Sequence, residues 1–271
     1  LDNLHRQTLF VEADVAANLP KAIAAARHLA EINSEVHIEP IVADVTARNV
    51  AEIAENVDCV VDGADNFEIR YLLNDYAVAN RLPWVFGGCV GCEGQTMAIL
   101  PGETPCLACI LPEPPPVELQ PTCETAGVLG PAVSVIAALQ AVEAIKILSG
   151  NRDAVSRRMS VINLWDGNLR SMGLSNRPTP DPCRACDRRE FPWLEGLRGS
   201  SAVTLCGRNA VQLRDAGGQH ASLAELAEKL SATGTVTSND YLVRLEVDDY
   251  TLTIFAGGRT IVTGTDDPAQ A

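Results

Sequence analysis

The sequence predicts an α/β fold, namely a mostly parallel sheet with helices on both faces. A four-cysteine zinc site is expected to cross-link this part of the chain, and a small C-terminal α+β domain follows it. Three observations lead to this prediction. Apolar strand segments alternate with acidic turns and helical segments over most of the 271 residues, as in parallel sheets. Two separate CxxC pairs have the spacing of zinc ligands. The pattern changes after about Glu195, so we expect domains at 1–194 and 195–271.

Composition excludes several classes of function. The net charge is −14 and no basic run is present, so we expect no nucleic-acid partner. The most apolar stretch, Pro131 to Leu148, carries Gln140, Glu143 and Lys146 at helical spacing, which predicts a buried helix and no membrane span. Nine cysteines, an odd number, fit a reducing compartment, and we expect a cytoplasmic protein.

The first long helix is predicted from Pro20 to Ile32, because proline suits the first helical position and the following residues are rich in alanine. Lys21 then lies in the first turn, where the helix dipole disfavours a cation by about 0.3–1 kcal/mol. A bound anion would reverse that sign, and the free N–H groups at this end favour phosphate. The alternative is an ordinary solvated lysine.

The other elements follow from the spacing of apolar residues. The predicted strands are Val36–Val42, Cys59–Val61, Pro83–Gly88, Gln95–Leu100, Ser160–Trp165 and Leu169–Leu174, and the helices are Val50–Glu55, the segment ending near Asn80, and Pro131–Ser149. In the C-terminal domain we expect strand-like segments at Val203–Leu213 and Leu242–Val247, a helix at Leu223–Leu230, and a hairpin of Thr251–Phe255 with Arg259–Val262.

Asp65 lies in the acidic turn that follows the compact strand Cys59–Val61. Ligands of parallel sheets bind beyond the C-terminal ends of the strands, and a carboxylate there can hold Mg²⁺ directly or through water. The alternative is that Asp65 or Asn66 serves only as the N-cap of the next helix.

Cys106 and Cys109 form one CxxC pair, and Cys183 and Cys186 form another. Tetrahedral zinc takes four thiolates, and two intervening residues let one turn present both sulfurs to one ion. We therefore predict a structural zinc site, with reduced or disulfide-bonded cysteines as the alternative. A third pair, Cys89 with Cys92, has no partner pair; it is interpreted as small residues at a strand end, with a redox or sulfur-transfer role as the alternative.

Cys123 follows a proline-rich stretch, 112–121, that cannot form a helix or a central strand. The long helix from Pro131 begins shortly afterwards, and a helix N-terminus lowers the pKa of a thiol and favours the nucleophilic thiolate. Cys123 is therefore a candidate nucleophile, with a passive loop cysteine as the alternative.

Five motifs occur in a fixed order: Asn3-Leu-His-Arg6-Gln7, Pro20-Lys21, Asp62-Gly-Ala-Asp65-Asn66, the paired CxxC sequences, and Thr122-Cys123-Glu-Thr-Ala-Gly127. In this arrangement the chain resembles the adenylating enzymes that activate ubiquitin-like proteins, in particular the bacterial sulfur-carrier activators of molybdopterin and thiamine synthesis. The resemblance covers about residues 1–190 and implies a Rossmann-like fold.

The resemblance implies an ATP-dependent adenylyltransferase that acts on the C-terminal Gly-Gly carboxylate of a ubiquitin-like sulfur carrier. It implies that Arg6 and Lys21 handle the phosphates together with Asn3 and Gln7, that Asp65, beside Asn66, serves Mg²⁺, and that Cys123 forms a thioester or acyl persulfide in some relatives. The implied partners are a second copy of the chain in a homodimer and a sulfurtransferase or cysteine desulfurase.

One feature of the family is absent from the sequence, namely the glycine-rich nucleotide loop and the acidic residue that follows the first strand. The chain begins at Leu1 without methionine, so we expect an upstream segment that carries this loop, and we expect the chain as given to bind ATP poorly without it. Two other functions remain open: a non-catalytic adaptor of the same family, and a zinc-containing nicotinamide dehydrogenase. The second is disfavoured because the four histidines form no cluster in the sequence.

Overall fold

The computed structural model describes residues 3–116, 126–174, 181–199, 202–205, 209–213 and 222–267. The chain divides into two compact units. The central unit is Val45–Gly199, and the flanking unit combines Leu1–Asp44 with Ser200–Ala271. Each unit has its own sheet.

The helices of the described residues are α1 (Glu12–Ala16), α2 (Lys21–Ile32), α3 (Val50–Ile53), α4 (Phe67–Asn80), α5 (Leu107–Ile110), α6 (Gly130–Leu148) and α7 (Leu223–Leu230). The strands are β1 (Val60–Val61), β2 (Trp84–Val90), β3 (Glu93–Ile99), β4 (Arg158–Asn163), β5 (Asn168–Gly173), β6 (Ala202–Leu205), β7 (Ala210–Leu213), β8 (Thr235–Ser238), β9 (Leu242–Val247), β10 (Tyr250–Phe255) and β11 (Thr260–Thr263).

The central unit contains a five-stranded sheet in the order β1-β2-β3-β4-β5. Only the β1–β2 pair is parallel among the described strands, and the three other pairs are antiparallel. The prediction of a mostly parallel sheet is therefore wrong for this part of the chain, and the sheet is mixed. The reason lies in the connections: β2 reaches β3 through Gly91 and Cys92 alone, and a turn of two residues can join only antiparallel strands.

Helices cover both faces of this sheet, as predicted. Trp84 and Phe86 of β2 point to one face and pack in the same cluster as Tyr71 of α4. Gly87 points to the other face, where α6 packs and the Gln140 side chain fills the space that a Cβ would need. Successive residues of β2 therefore point alternately to the helices on one face of the sheet and to those on the other.

Helix α6 is strongly apolar in composition and has one buried face. Ala132, Ile136, Gln140 and Ala144 recur every four residues and are the buried positions of this helix. Val142, Ile145 and Leu148 lie exposed. By length and composition alone, α6 is the one helix of the described residues that would be able to cross a membrane. Its packing on β2 and β3 and the buried amide of Gln140 are those of a helix that covers a sheet.

The flanking unit contains an antiparallel sheet in the order β6-β7-β11-β10-β9-β8, and α7 packs against β8 and β9. Ser222 is the N-cap of α7: its Oγ accepts a hydrogen bond from the Glu225 amide, and its own amide donates to Glu225 Oε2, which forms a capping box. The predicted helix, the strand Leu242–Val247 and the hairpin of the C-terminal domain are present, and the strand-like segment Val203–Leu213 contains two paired strands, β6 and β7. Strand β8 was not predicted from the sequence.

The predicted strand Val36–Val42 is wrong, because the structure assigns no strand to these residues. Val36 and Ile41 are 54% and 46% exposed. Alternation of apolar residues produces a strand only where a neighbouring strand completes the ladder of hydrogen bonds, and no described strand pairs with this segment.

Candidate functional site

The loop between β1 and α4 places Asp65 at the C-terminal end of β1, where the sequence analysis expects a ligand site. Asn66 is the N-cap of α4, because its Oδ1 accepts a hydrogen bond from the Ile69 amide at 3.0 Å. Asp65 lies exposed beside it, and its Oδ1 accepts a hydrogen bond from Asn66 Nδ2 at 3.3 Å. Capping therefore explains Asn66 but leaves the Asp65 carboxylate available for another role.

A buried polar network holds this loop in place. Asp62 is buried, and its Oδ1 accepts a hydrogen bond from the Ala64 amide at 2.7 Å. Arg70 of α4 donates to Asp62 Oδ2 at 3.2 Å, to the Ala64 carbonyl at 2.6 Å and to the Gly87 carbonyl at 3.0 Å. Burial raises the pKa of the Asp62 carboxyl, and the nearby Arg70 guanidinium opposes that rise.

Gln140 of α6 supports the same strand ends from the opposite face. Its Nε2 donates to the Asp62 carbonyl at 2.9 Å and to the Val85 carbonyl at 3.0 Å. Asp62, Arg70 and Gln140 were not predicted from the sequence as components of the site. The available signal was weak: Gln140 is a polar residue in a strongly apolar helix, and such a residue is usually hydrogen-bonded when it is buried.

The residues expected to handle phosphates lie in the flanking unit. The Asn3 carbonyl accepts hydrogen bonds from the amides of Arg6 and Gln7 at 3.2 and 3.1 Å, so the three residues form one turn. Lys21 is the first residue of α2 and is exposed, and the first turn of α2 contains no acidic residue. Asp65 belongs to the central unit. The grouping of Asn3, Arg6, Gln7, Lys21, Asp65 and Asn66 in one nucleotide site stays a prediction.

The four predicted zinc ligands lie together in the central unit. The sulfur atoms of Cys106, Cys109, Cys183 and Cys186 all lie within 4.8 Å of one another. Cys106 Sγ is 3.8 Å from Cys109 Sγ and 3.7 Å from Cys183 Sγ, and Cys109 Sγ is 3.7 Å from Cys186 Sγ. Three of the four residues are buried.

These distances fit a tetrahedral zinc ion. With Zn–S bonds of about 2.3 Å, the edge of the tetrahedron is about 3.8 Å, whereas a disulfide needs about 2.05 Å. The donor set is four thiols with no described carboxylate or histidine in the group. The residues present therefore fit zinc, and a closed four-cysteine set indicates a structural role.

Helix α4 docks both CxxC segments through two buried polar residues. Asn74 Oδ1 accepts a hydrogen bond from the Leu107 amide at 2.8 Å, which fixes the first segment. Asp75 accepts hydrogen bonds from Arg184 Nη1 at 2.8 Å and from the Trp193 amide at 3.1 Å, which fixes the second. Helix α4 therefore begins at the Asp65 loop and, at Asn74 and Asp75, contacts the two segments that carry the clustered cysteines.

Two cysteine predictions have different outcomes. Cys123 lies outside the described residues, so its role stays a prediction. Cys89 lies in β2, and Cys92 lies in the turn to β3, where its carbonyl accepts a hydrogen bond from the Leu164 amide at 3.0 Å. Cys89 and Cys92 are part of a tight hairpin, in agreement with the interpretation of small residues at a strand end. Gly91 in this turn also pairs with the chain at Val128.

Comparison with known proteins gives related sequences along most of the chain. A sulfur carrier protein ThiS adenylyltransferase of Bacillus subtilis is 40% identical in an alignment that covers 99% of this chain and 79% of the relative. A sulfur carrier protein adenylyltransferase of Thermus thermophilus is 36% identical over 68% of this chain and 69% of the relative. An adenylyltransferase and sulfurtransferase MOCS3 of Anopheles gambiae is 37% identical over 85% of this chain, which spans only 50% of that longer protein.

Solved structures agree with the fold. MccB of E. coli, crystallised with ATP, superposes with a TM-score of 0.56 at 24% sequence identity. The superposition covers 68% of this chain and 55% of the MccB chain. The model of the ThiF family matches residues 1–185, the range that contains the Asp65 loop and all but one of the four clustered cysteines. On this match and on the identity to the two bacterial carrier adenylyltransferases, the chain belongs to the ThiF family.

Proposed function

We propose that this protein is an ATP-dependent adenylyltransferase that activates the C-terminal Gly-Gly carboxylate of a ubiquitin-like sulfur-carrier protein. The observation that carries the proposal is the exposed Asp65 carboxylate, which follows β1 and is not used to cap α4, in a chain 40% identical to a ThiS adenylyltransferase. A SAMP-activating enzyme E1 of Haloferax volcanii, 36% identical over 68% of this chain, supports the same proposal.

In the proposed reaction, a carboxylate oxygen of the carrier forms a bond to the α-phosphorus of ATP. The bond from that phosphorus to the oxygen that bridges to the β-phosphorus breaks, and pyrophosphate leaves with the electron pair. The products are an acyl-adenylate and pyrophosphate. Such a reaction needs mainly the positioning of the two substrates and the neutralisation of developing negative charge.

The proposed roles follow from the charges of the side chains. Arg6 and Lys21 neutralise phosphate oxygens, with Asn3 and Gln7 as hydrogen-bonding partners of the nucleotide, and Asp65 holds Mg²⁺. The N-terminal end of α2 has no N-cap side chain hydrogen-bonded to its first turn, and the N–H groups of that turn add to the attraction for phosphate.

Partners and later steps belong to the same proposal. The exposed Val142, Ile145 and Leu148 of α6 support a homodimer, because an apolar face of this kind is usually covered. Cys123 is proposed to attack the carbonyl carbon of the acyl-adenylate as a thiolate, which forms a thioester and releases AMP. If Cys123 has first accepted a sulfane sulfur from the persulfide of a cysteine desulfurase or sulfurtransferase, the same attack by its terminal sulfur gives an acyl persulfide and AMP. The four-cysteine zinc site stabilises the fold and takes no part in the transfer.

The test is carrier-dependent exchange of labelled pyrophosphate into ATP, measured with the full-length protein. Lys21→Ala and Asp65→Ala should each lower the exchange rate by about 100-fold, which is typical when one group that stabilises transition-state charge is removed. Asp58→Asn is the matched control, because Asp58 is an exposed carboxylate just before β1, at the opposite end of that strand. Exchange that persists at the wild-type rate in both alanine variants would refute the site.

Absence of exchange by the full-length wild-type protein, together with carrier binding in a pull-down, would favour the adaptor. A non-catalytic adaptor binds the carrier without forming an adenylate. Reduction of NAD in place of exchange would favour the dehydrogenase. The three functions therefore give three different results with the same preparation.

A further inference from the structure

The turn between α1 and α2 determines where α2 begins. Asn18 has a left-handed backbone conformation, with φ of 51°. Its amide donates to the Val15 carbonyl at 3.0 Å, and the next amide, of Leu19, donates to the Asp14 carbonyl at 3.1 Å. Asparagine tolerates this conformation better than most residues, and it reverses the chain after α1. Lys21 follows three positions later as the first residue of α2.

The C-terminal sheet holds this turn by the side chain and the backbone of Asn18. Arg244 of β9 donates from Nη1 to Asn18 Oδ1 at 2.5 Å. Asn239, between β8 and β9, donates from Nδ2 to the Asn18 carbonyl at 3.2 Å. Residues more than 220 positions apart are therefore joined within the flanking unit.

Hydrogen bonds within the β8–β9 turn hold Asn239 in position for this contact. Its Oδ1 accepts hydrogen bonds from the amides of Tyr241 and Leu242 at 2.9 and 3.0 Å, and its own amide donates to the Leu242 carbonyl at 3.0 Å. The side-chain oxygen of Asn239 thus stabilises the β8–β9 turn, and its side-chain nitrogen donates a hydrogen bond to Asn18. The two functions use different atoms of one amide.

The stability of the C-terminal sheet does not explain why an arginine occupies position 244. Its Nε is buried and has no hydrogen-bond partner among the described residues. An unsatisfied buried donor is destabilising, so an apolar residue would suit this position of β9 better. The contact that Arg244 does make is directed to the Asn18 turn, outside the sheet.

We propose that Arg244 and Asn239 are positioning residues for Lys21, so that the C-terminal sheet is part of the nucleotide site although it supplies no reacting group. They fix Asn18, and Asn18 fixes the N-terminal end of α2. This inference rests on the proposed function of Lys21 as a phosphate-binding residue. It gives a role to the segment after residue 195, in which the sequence analysis found no catalytic motif.

The first experiment measures KM for ATP and kcat in carrier-dependent pyrophosphate exchange by full-length Arg244→Gln. We expect KM to rise about tenfold, because a displaced binding group commonly costs one to two orders of magnitude, and kcat to change less. Arg244→Lys keeps a cationic donor and removes the unpartnered Nε, so it should restore most of the affinity. Glu246→Gln is the control, since Glu246 lies two residues along the same strand and is exposed.

The second experiment distinguishes positioning from a general loss of stability. If Arg244 acts through Lys21, then Arg244→Gln should raise KM no further in a Lys21→Ala protein. Multiplicative effects of the two substitutions would overturn the proposal, and so would an unchanged KM in Arg244→Gln alone. Retained KM in Arg244→Lys but not in Arg244→Gln is expected if a long cationic donor to Asn18 matters.

Amide hydrogen exchange separates failure of this inference from failure of the proposed function. Arg244→Gln should speed exchange at Leu19–Ala24 several-fold, and Glu246→Gln should not. If exchange at these residues does not change, the positioning role fails even when the protein is an active adenylyltransferase. If exchange changes but Lys21→Ala leaves the affinity for ATP intact, the coupling of the turn is real and the nucleotide role of Lys21 fails.

Discussion

Arg70 and Asp62 form an ion pair inside the central unit, with 3.2 Å between Arg70 Nε and Asp62 Oδ2 and exposures of 11% and 0% for the two side chains. The same guanidinium donates to the Ala64 carbonyl in the loop that carries Asp65. It also lies over the Phe86 ring, 5.3 Å from the ring centroid. The pair therefore connects the packing of α4 on β2 with the conformation of the candidate metal-binding loop.

Removal of the Arg70 cation should destabilise the fold more than removal of the pair. Arg70→Met leaves Asp62 buried without a counter-ion, and the free energy of unfolding should fall by about 3–5 kcal/mol. The double variant Arg70→Met with Asp62→Asn should regain part of that loss, because it removes the uncompensated charge. Urea denaturation of the three proteins measures this, and a double variant less stable than Arg70→Met would contradict it.

Asp65 and Asn66 should separate catalysis from stability. Asp65→Asn should lower pyrophosphate exchange about 100-fold, because the proposed Mg²⁺ ligand is weakened, and should change the free energy of unfolding by less than about 0.5 kcal/mol. Asn66→Ala removes the N-cap of α4 and should cost about 1 kcal/mol of stability. Exchange kinetics and urea midpoints of both variants test the contrast. A large stability loss in Asp65→Asn would assign Asp65 to structure instead.

The cysteine cluster should contain one zinc ion per chain. Cys109→Ser should lose the metal and lower Tm by about 10 °C or more, since structural zinc contributes several kcal/mol to folding. Cys59→Ser is the control, because Cys59 is a partly buried cysteine outside the cluster and should keep both zinc and Tm. Elemental analysis and thermal denaturation measure the two quantities. A wild-type protein with less than about half an equivalent of zinc would disprove the site.

Local sequence patterns predicted the parts of the site that depend on few residues. The two CxxC pairs led to the cysteine cluster, and the acidic turn after the strand at Cys59–Val61 led to the position of Asp65. The contacts of Arg70 and Gln140 could not be predicted, because they join residues 6 to 78 positions apart through the packing of helices on the sheet. Strand direction was mispredicted because it depends on which strands become neighbours.

Gly87 should not tolerate a side chain. A Cβ at this position would lie 2.4 Å from Cδ and Nε2 of Gln140, which is buried and holds the carbonyls of Asp62 and Val85. Gln140 could move away only by losing both hydrogen bonds, so Gly87→Ala should cost about 1–3 kcal/mol and also slow pyrophosphate exchange. Gly63→Ala is the matched control, because a Cβ there meets nothing within 4 Å. Equal urea midpoints for the two variants would contradict the prediction.

Asp14 should stabilise the α1–α2 segment in a pH-dependent manner. Its Oδ2 accepts hydrogen bonds from the Val11 amide and from His28 Nε2, both at 2.9 Å. The Val11 amide, then His28, and to a smaller degree the charge of Arg27, hold the pKa of the Asp14 carboxyl below its ordinary value of 3.8. The folded state therefore stabilises the ionised form of Asp14 more than the unfolded chain does.

The sign of the effect follows from the lowered pKa. The stabilisation by Asp14 should be fully present above 3.8, the pKa of the unfolded chain, and should disappear as the pH falls through the lower pKa of the folded protein. Urea midpoints of the wild type and Asp14→Asn should therefore differ at about pH 6 and converge towards about pH 3. His28→Gln should reduce the difference at the higher pH, because it removes one of the two groups that favour the charged carboxylate. A difference that widens on acidification would show that Asp14 acts through packing or through its neutral form.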